Sequence, residues 1–124
     1  MNRIVLYALV IMIIYLYIQR RGGQNRISAK EVYALLQEDH DVTLLDVRSE
    51  GEFHSGHIEG AVNLPVEYIS SVRPTSLPDL NEEIIVYCRS GARSRVAAQK
   101  LSALGYTNVK DMGGLLMWRY GLVK

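Results

Sequence analysis

The chain has 124 residues, 48% of them hydrophobic, and a formal charge of +1 at pH 7, a length that supports one compact domain of ordinary size. From residue 27 onward 10 basic residues face 13 acidic ones, a mildly acidic balance that argues against general nucleic-acid binding, which needs a basic face against phosphates. A single cysteine excludes an intramolecular disulfide framework and a cysteine-rich zinc site.

Residues 4–18 (IVLYALVIMIIYLYI) are apolar apart from tyrosine hydroxyls. As a helix they rise about 22 Å at 1.5 Å per residue, short of a hydrocarbon core of roughly 30 Å. Counted from residue 1 to 19, with flanking arginines snorkelling, the run becomes long enough. It ends in Tyr17-Ile18-Gln19-Arg20-Arg21 with no small-residue cleavage pattern, and no face of it is polar. An uncleaved anchor therefore fits better than a signal peptide or a core helix. Residues 1–21 are expected to form a single-pass transmembrane helix, with Tyr15 and Tyr17 at headgroup level. Arg20, Arg21 and Arg26 outweigh Arg3 and the α-amine, which puts the following domain on the cytoplasmic side. Residues 22–26 read as a flexible linker, and residues 27–124 as the domain.

Ser28-Ala29-Lys30-Glu31 is a capping box that opens a helix over residues 29–38, with Val32, Leu35 and Leu36 on its apolar face. Residues 42–45 read as a buried strand ending at Asp46. Residues 49–55 form a short helix stopped by Gly56. A strand lies within 58–64, closed by Pro65, and a helix over 66–72 precedes a proline-rich loop. Residues 83–87 are the clearest strand, with Ile84, Ile85 and Val86 consecutive. A helix over 92–104 carries Ala97, Leu101 and Leu104 on one face, and Gly105 suits its left-handed terminus. A last strand covers 107–110, and Gly113-Gly114 opens a helical segment over 115–120. Strands alternating with helices predict an α/β fold: a central, mostly parallel sheet flanked by helices, with ligands beyond the carboxyl ends of the strands.

Cys88 follows the clearest strand and so falls at that end. After it come Arg89, Arg93, Arg95 and Lys100, with no Asp or Glu from residue 84 to 110. Gly91 permits a tight turn whose amides point inward as an anion-binding nest, and the first amides of the next helix lack intrahelical partners. That setting favours a thiolate nucleophile attacking an anion. Loop amides from Arg89 to Ser94 (Ser90, Gly91 and Ala92 included) would hold the reacting group, with Arg93 and then Arg89 assisting. Asp46 and Arg48 are supporting residues that fix loops, Arg48 through a partner such as Glu52. His57 reads as structural, and His40 and His54 as solvated, like Arg95 and Lys100. Trp118, with Leu115, Leu116 and Met117, borders the pocket mouth or packs the core. No histidine pair has metal-ligand spacing.

Four stretches in order resemble the single-domain rhodanese family of sulfurtransferases: residues 45–48 (LDVR), 52–65 (EFHSGHIEGAVNLP), 88–94 (CRSGARS) and 112–118 (MGGLLMW). The resemblance implies a rhodanese-like fold from about residue 27 to 124. It also implies a ping-pong cycle in which Cys88 takes a sulfane sulfur from a small sulfur-containing anion such as thiosulfate. A thiol, cyanide or a protein thiol then removes it, and no metal or organic cofactor is implied. Two alternatives stand beside it. One is a non-catalytic interaction module of the same fold. The other is a cysteine phosphatase or arsenate reductase, whose loop places Arg at the sixth residue after Cys, where this chain has Ser94 and carries Arg93 one position early.

Overall fold

The computed structural model describes residues 2–22, 25–38 and 41–124, with the backbone alone for 18–22. The central linker residues 23 and 24, His40, and the side chains of Arg20 and Arg21 lie outside the described part. In chain order the elements are α1 (Arg3–Gly22), β1 (Asn25–Arg26), α2 (Ala29–Gln37), β2 (Thr43–Asp46), α3 (Glu50–Ser55), β3 (Val62–Asn63), β4 (Ile84–Cys88), α4 (Ala92–Ala103) and β5 (Val109–Gly114). Short 3-10 turns cover Val66–Tyr68 and Leu115–Met117. The five strands form one sheet in the order β1-β5-β4-β2-β3, and every pairing is parallel.

β4 is central because its sequence is apolar on both faces: all five of its residues are buried. Strand alternation sends Ile84, Val86 and Cys88 to one side, where Ala97, Ala98 and Leu101 of α4 meet them with Leu45, Val47 and Val109. Ile85 and Tyr87 go to the other side, against Ile27, Val32, Leu44, Ile58 and Met112. Ser28 caps α2 by accepting the Glu31 N–H (3.1 Å), and Ser49 and Glu52 make a reciprocal capping box on α3. Leu104 ends α4, and Gly105 follows at φ +104°.

Several elements differ from the sequence reading. Asn25 and Arg26, assigned to the linker, pair in register with Lys110 and Asp111 and form the sheet edge. The helix expected over 66–72 is a single 3-10 turn. Ile69 is buried but Tyr68 and Val72 are exposed, so there is no apolar stripe to bury a longer helix. The strand expected within 58–64 is found as Val62–Asn63, after Ala61 N–H bonds back to Ile58 and Gly60 turns at φ +86°. The last strand runs on to Gly114, and the helix over 115–120 shrinks to one 3-10 turn. α1 forms, with apolar side chains exposed from Ile4 to Tyr17. Among the described residues, however, no helix is long and apolar enough to cross a membrane, so the expected span is not found there.

β5 is irregular where it passes β4. Val86 pairs with Asp111, but Tyr87 pairs with Gly113 and Cys88 with Gly114, leaving Met112 as an extra residue. Gly113 takes φ +89° and donates its N–H to Asp111 Oδ1 (2.8 Å). A Cβ on Gly114 would collide with the Arg89 carbonyl oxygen and lie 2.9 Å from both Arg89 C and Ser90 Cα. The cysteine loop therefore rests on bare backbone. Gly114→Ala is expected to cost about 1–3 kcal/mol in urea unfolding, as for an overpacked core site. Gly51→Ala, in α3 with nothing within 4 Å of the new methyl, should be neutral or stabilising by up to about 1 kcal/mol.

Candidate active site

Cys88 is the last residue of β4, and its side chain is fully buried. Three residues later the chain reverses at Gly91, which adopts φ +106°, ψ −13° and caps α4. This left-handed conformation suits glycine and turns the following amides back toward the strand end. Gly91 N–H donates to Cys88 Sγ at 3.0 Å, and Ser94 N–H approaches the same sulfur at 3.4 Å. Both are free donors of a helix N-terminus, so the sulfur sits where developing negative charge is stabilised. The buried Ser94 hydroxyl donates to Gly91 O (3.1 Å) and reaches Gly113 O (3.4 Å), tying the loop to β5.

The loop residues divide by role. Gly91 and Ser94 aim amides at the sulfur, whereas Arg89, Ser90 and Ala92 are exposed on its outer side. Arg93 is half-buried and forms a two-pronged pair with Glu52: Nη1–Oε1 is 2.6 Å and Nη2–Oε2 is 2.9 Å. The Arg93 hydrogen bond holds the Glu52 carboxyl down at about 2, with burial opposing and Ser49 assisting. The same contact raises the Arg93 pKa, and the Cys88 and Asp46 charges add to it. Among the described residues Arg89 has no ion-pair or hydrogen-bond partner for its side chain.

Asp46 and Arg48 are not brought to the sulfur. They form a buried pair at the end of β2, with Arg48 Nη2–Asp46 Oδ2 at 2.7 Å. Arg48 Nη2 also donates to Gly56 O (2.7 Å) at the end of α3. Burial opposes the Arg48 charge, and the Asp46 hydrogen bonds and charge together outweigh it, leaving the guanidinium pKa raised. The partner of Arg48 is thus Asp46 rather than Glu52. A carboxylate two residues away at a strand end is geometrically closer than one on the next helix. The pair supports the site indirectly by fixing α3 and, through it, Glu52.

Other sequence-selected residues lie apart. His57 stacks on Phe53 (3.8 Å between ring centroids), and its Nδ1 lies 2.8 Å from Phe53 O, a structural role as read. Trp118 and Leu115 pack against the Tyr87 side of the sheet, while Leu116 and Met117 are exposed. Two features escaped sequence reasoning. Glu52 reads only as a candidate partner of Arg48, and Gly113-Gly114 as the opening of a helical segment rather than as a seat for the loop.

A model of the rhodanese-like domain matches residues 28–120. The thiosulfate sulfurtransferase PspE of Escherichia coli (strain K12) is 38% identical over 71 residues, covering 57% of this chain and 68% of that protein. A sulfurtransferase of Allochromatium vinosum is 36% identical over 100 residues, covering 79% of this chain and 92% of that one. Among solved structures, the human single-domain sulfurtransferase TSTD1 aligns with a TM-score of 0.64 at 32% identity, over 72% of this chain and 88% of its own. A rhodanese from E. coli solved with anions aligns with a TM-score of 0.61 at 36% identity, over 67% of this chain and 98% of its own. With its cysteine loop, its parallel sheet and these relatives in agreement, the chain belongs to the rhodanese-like domain family.

Proposed function

We propose that this protein takes a sulfane sulfur from thiosulfate and passes it to a thiophilic acceptor through a persulfide on Cys88. It is a sulfurtransferase, and the observation that carries the reading is the pair of amides, Gly91 and Ser94, aimed at one buried sulfur at the carboxyl end of the central strand. The Cys88 thiolate attacks the outer sulfur of thiosulfate. A new S–S bond forms, the bond to the sulfonate sulfur breaks, and sulfite leaves with the electron pair. The persulfide anion keeps one negative charge, which the loop amides hold in place of the thiolate's. Cyanide, a small thiol or a protein thiol then attacks the terminal sulfur and releases Cys88 as the thiolate. Phosphoryl chemistry is disfavoured by the same loop, where Ser94 occupies the arginine position and Arg93 is turned onto Glu52.

The finer reading is that α1 tethers this domain to a membrane, with the domain on the cytoplasmic face. What supports it is the exposed apolar surface of α1 together with Arg3 at its start, Arg20 and Arg21 in its last turn and Arg26 beyond it. Arginines at the ends of an apolar helix reach the headgroups while their stems stay in the apolar layer.

Full-length protein incubated with thiosulfate should gain one sulfur atom by intact mass and release thiocyanate with cyanide, and Cys88→Ser should do neither. A wild-type protein that gains no sulfur and turns nothing over would overturn the sulfur-transfer reading. Separately, the full chain should resist carbonate extraction from membranes, and Ile11→Lys with Ile14→Lys should release it; wild-type chain found wholly in the soluble fraction would contradict the tether.

A further inference from the structure

The Arg93–Glu52 contact is built from both sides. Glu52 Oε1 also accepts from Ser49 Oγ (3.0 Å) and Ser49 N–H (3.4 Å), so the carboxylate is anchored to its own helix. That helix is pinned at its far end where Arg48 holds the Gly56 carbonyl. Arg93, in turn, lies between Gly91 and Ser94, the two residues whose amides face Cys88. The carboxyl is ionised throughout the neutral range. The Glu52 hydrogen bond chiefly raises the Arg93 pKa, with a smaller contribution from the Cys88 charge. One cation is therefore shared between a fixed carboxylate and the anionic site.

We propose that Glu52 is a positioning residue that sets the anion affinity of the loop, by engaging Arg93 and withdrawing one positive charge from the Cys88 pocket. The inference rests on the sulfur-transfer reading. Thiosulfate and sulfite are both dianions, and a fully charged loop would hold the product as tightly as it gathers the donor. With Arg93 neutralised, recognition falls to the loop amides of Gly91 and Ser94, and sulfite leaves readily. The pair is about one-third exposed, so its worth as a stabilising contact is small. Its consequence lies in where the charge is directed.

Thiosulfate–cyanide turnover of the full chain tests this in wild type, Glu52→Gln, Arg93→Gln and the double variant. Glu52→Gln is expected to lower the thiosulfate KM and the sulfite inhibition constant together, by about threefold or more at low ionic strength, the effect shrinking as salt rises. In the Arg93→Gln background the same substitution should change neither constant, because the two residues act as one unit. A raised or unchanged KM in Glu52→Gln, or an effect that persists without Arg93, overturns the inference. Intact mass on the same samples separates the two levels: absence of a persulfide on wild type defeats the sulfur-transfer reading itself. A persulfide on every variant, with KM unmoved, defeats only the role of Glu52.

Discussion

Backbone lies against backbone where β5 passes beneath the cysteine loop, and the rest of the site depends on that contact. A side chain at residue 114 would occupy the place of the Arg89 carbonyl. Because the loop sits so low, Gly91 must reverse the chain in the left-handed region, and the first amides of α4 then face the end of β4 instead of solvent. The irregular step at Met112 and the positive φ of Gly113 bring Gly114 level with Cys88. The Ser94 hydroxyl closes the arrangement by bonding both the loop and β5. The chemistry at the sulfur thus follows from packing that involves almost no side chains.

Charge is organised in a second layer around this cradle. Asp46 and Arg48 pair in the interior, where losing one partner would strand a buried charge at a cost of about 3–5 kcal/mol. Their task is to hold Gly56 and the end of α3. α3 presents Glu52, and Glu52 receives Arg93 from the loop. A run from the end of β2 to the start of α4 is therefore linked by ion pairs and helix caps of decreasing burial. The inner contacts set geometry, and the outer one meets solvent.

Much of this was legible in the sequence because the signals are local. Consecutive Ile84, Ile85 and Val86 define a strand buried on both faces, Ser28 and Ser49 announce helix starts, and Cys88 followed by Gly91 marks a turn at a strand end. The missed features lack such signals. Asn25 and Arg26 form a strand only because β5 offers an edge, and two polar residues carry no pattern of their own. Residues 66–72 have helix-compatible composition, but only Ile69 is drawn into the core. Glu52 and Arg93 are 41 residues apart, and Arg48, four residues before the glutamate, offered itself as a nearer partner. Paired glycines at 113 and 114 signal a turn by composition, whereas here they mark a close approach that only the tertiary structure creates.

In the proposed sulfur transfer, the amides of Gly91 and Ser94 hold the transferred sulfur on Cys88. Amide proton shifts of the full chain, recorded before and after one equivalent of sulfur is loaded, test it most directly. The resonances of Gly91 and Ser94 are expected to move most, with those of Ser90, Ala92 and Arg93 following and those of α2 unmoved. Loaded protein whose Gly91 and Ser94 amides stay in place, with the changes elsewhere, would contradict it.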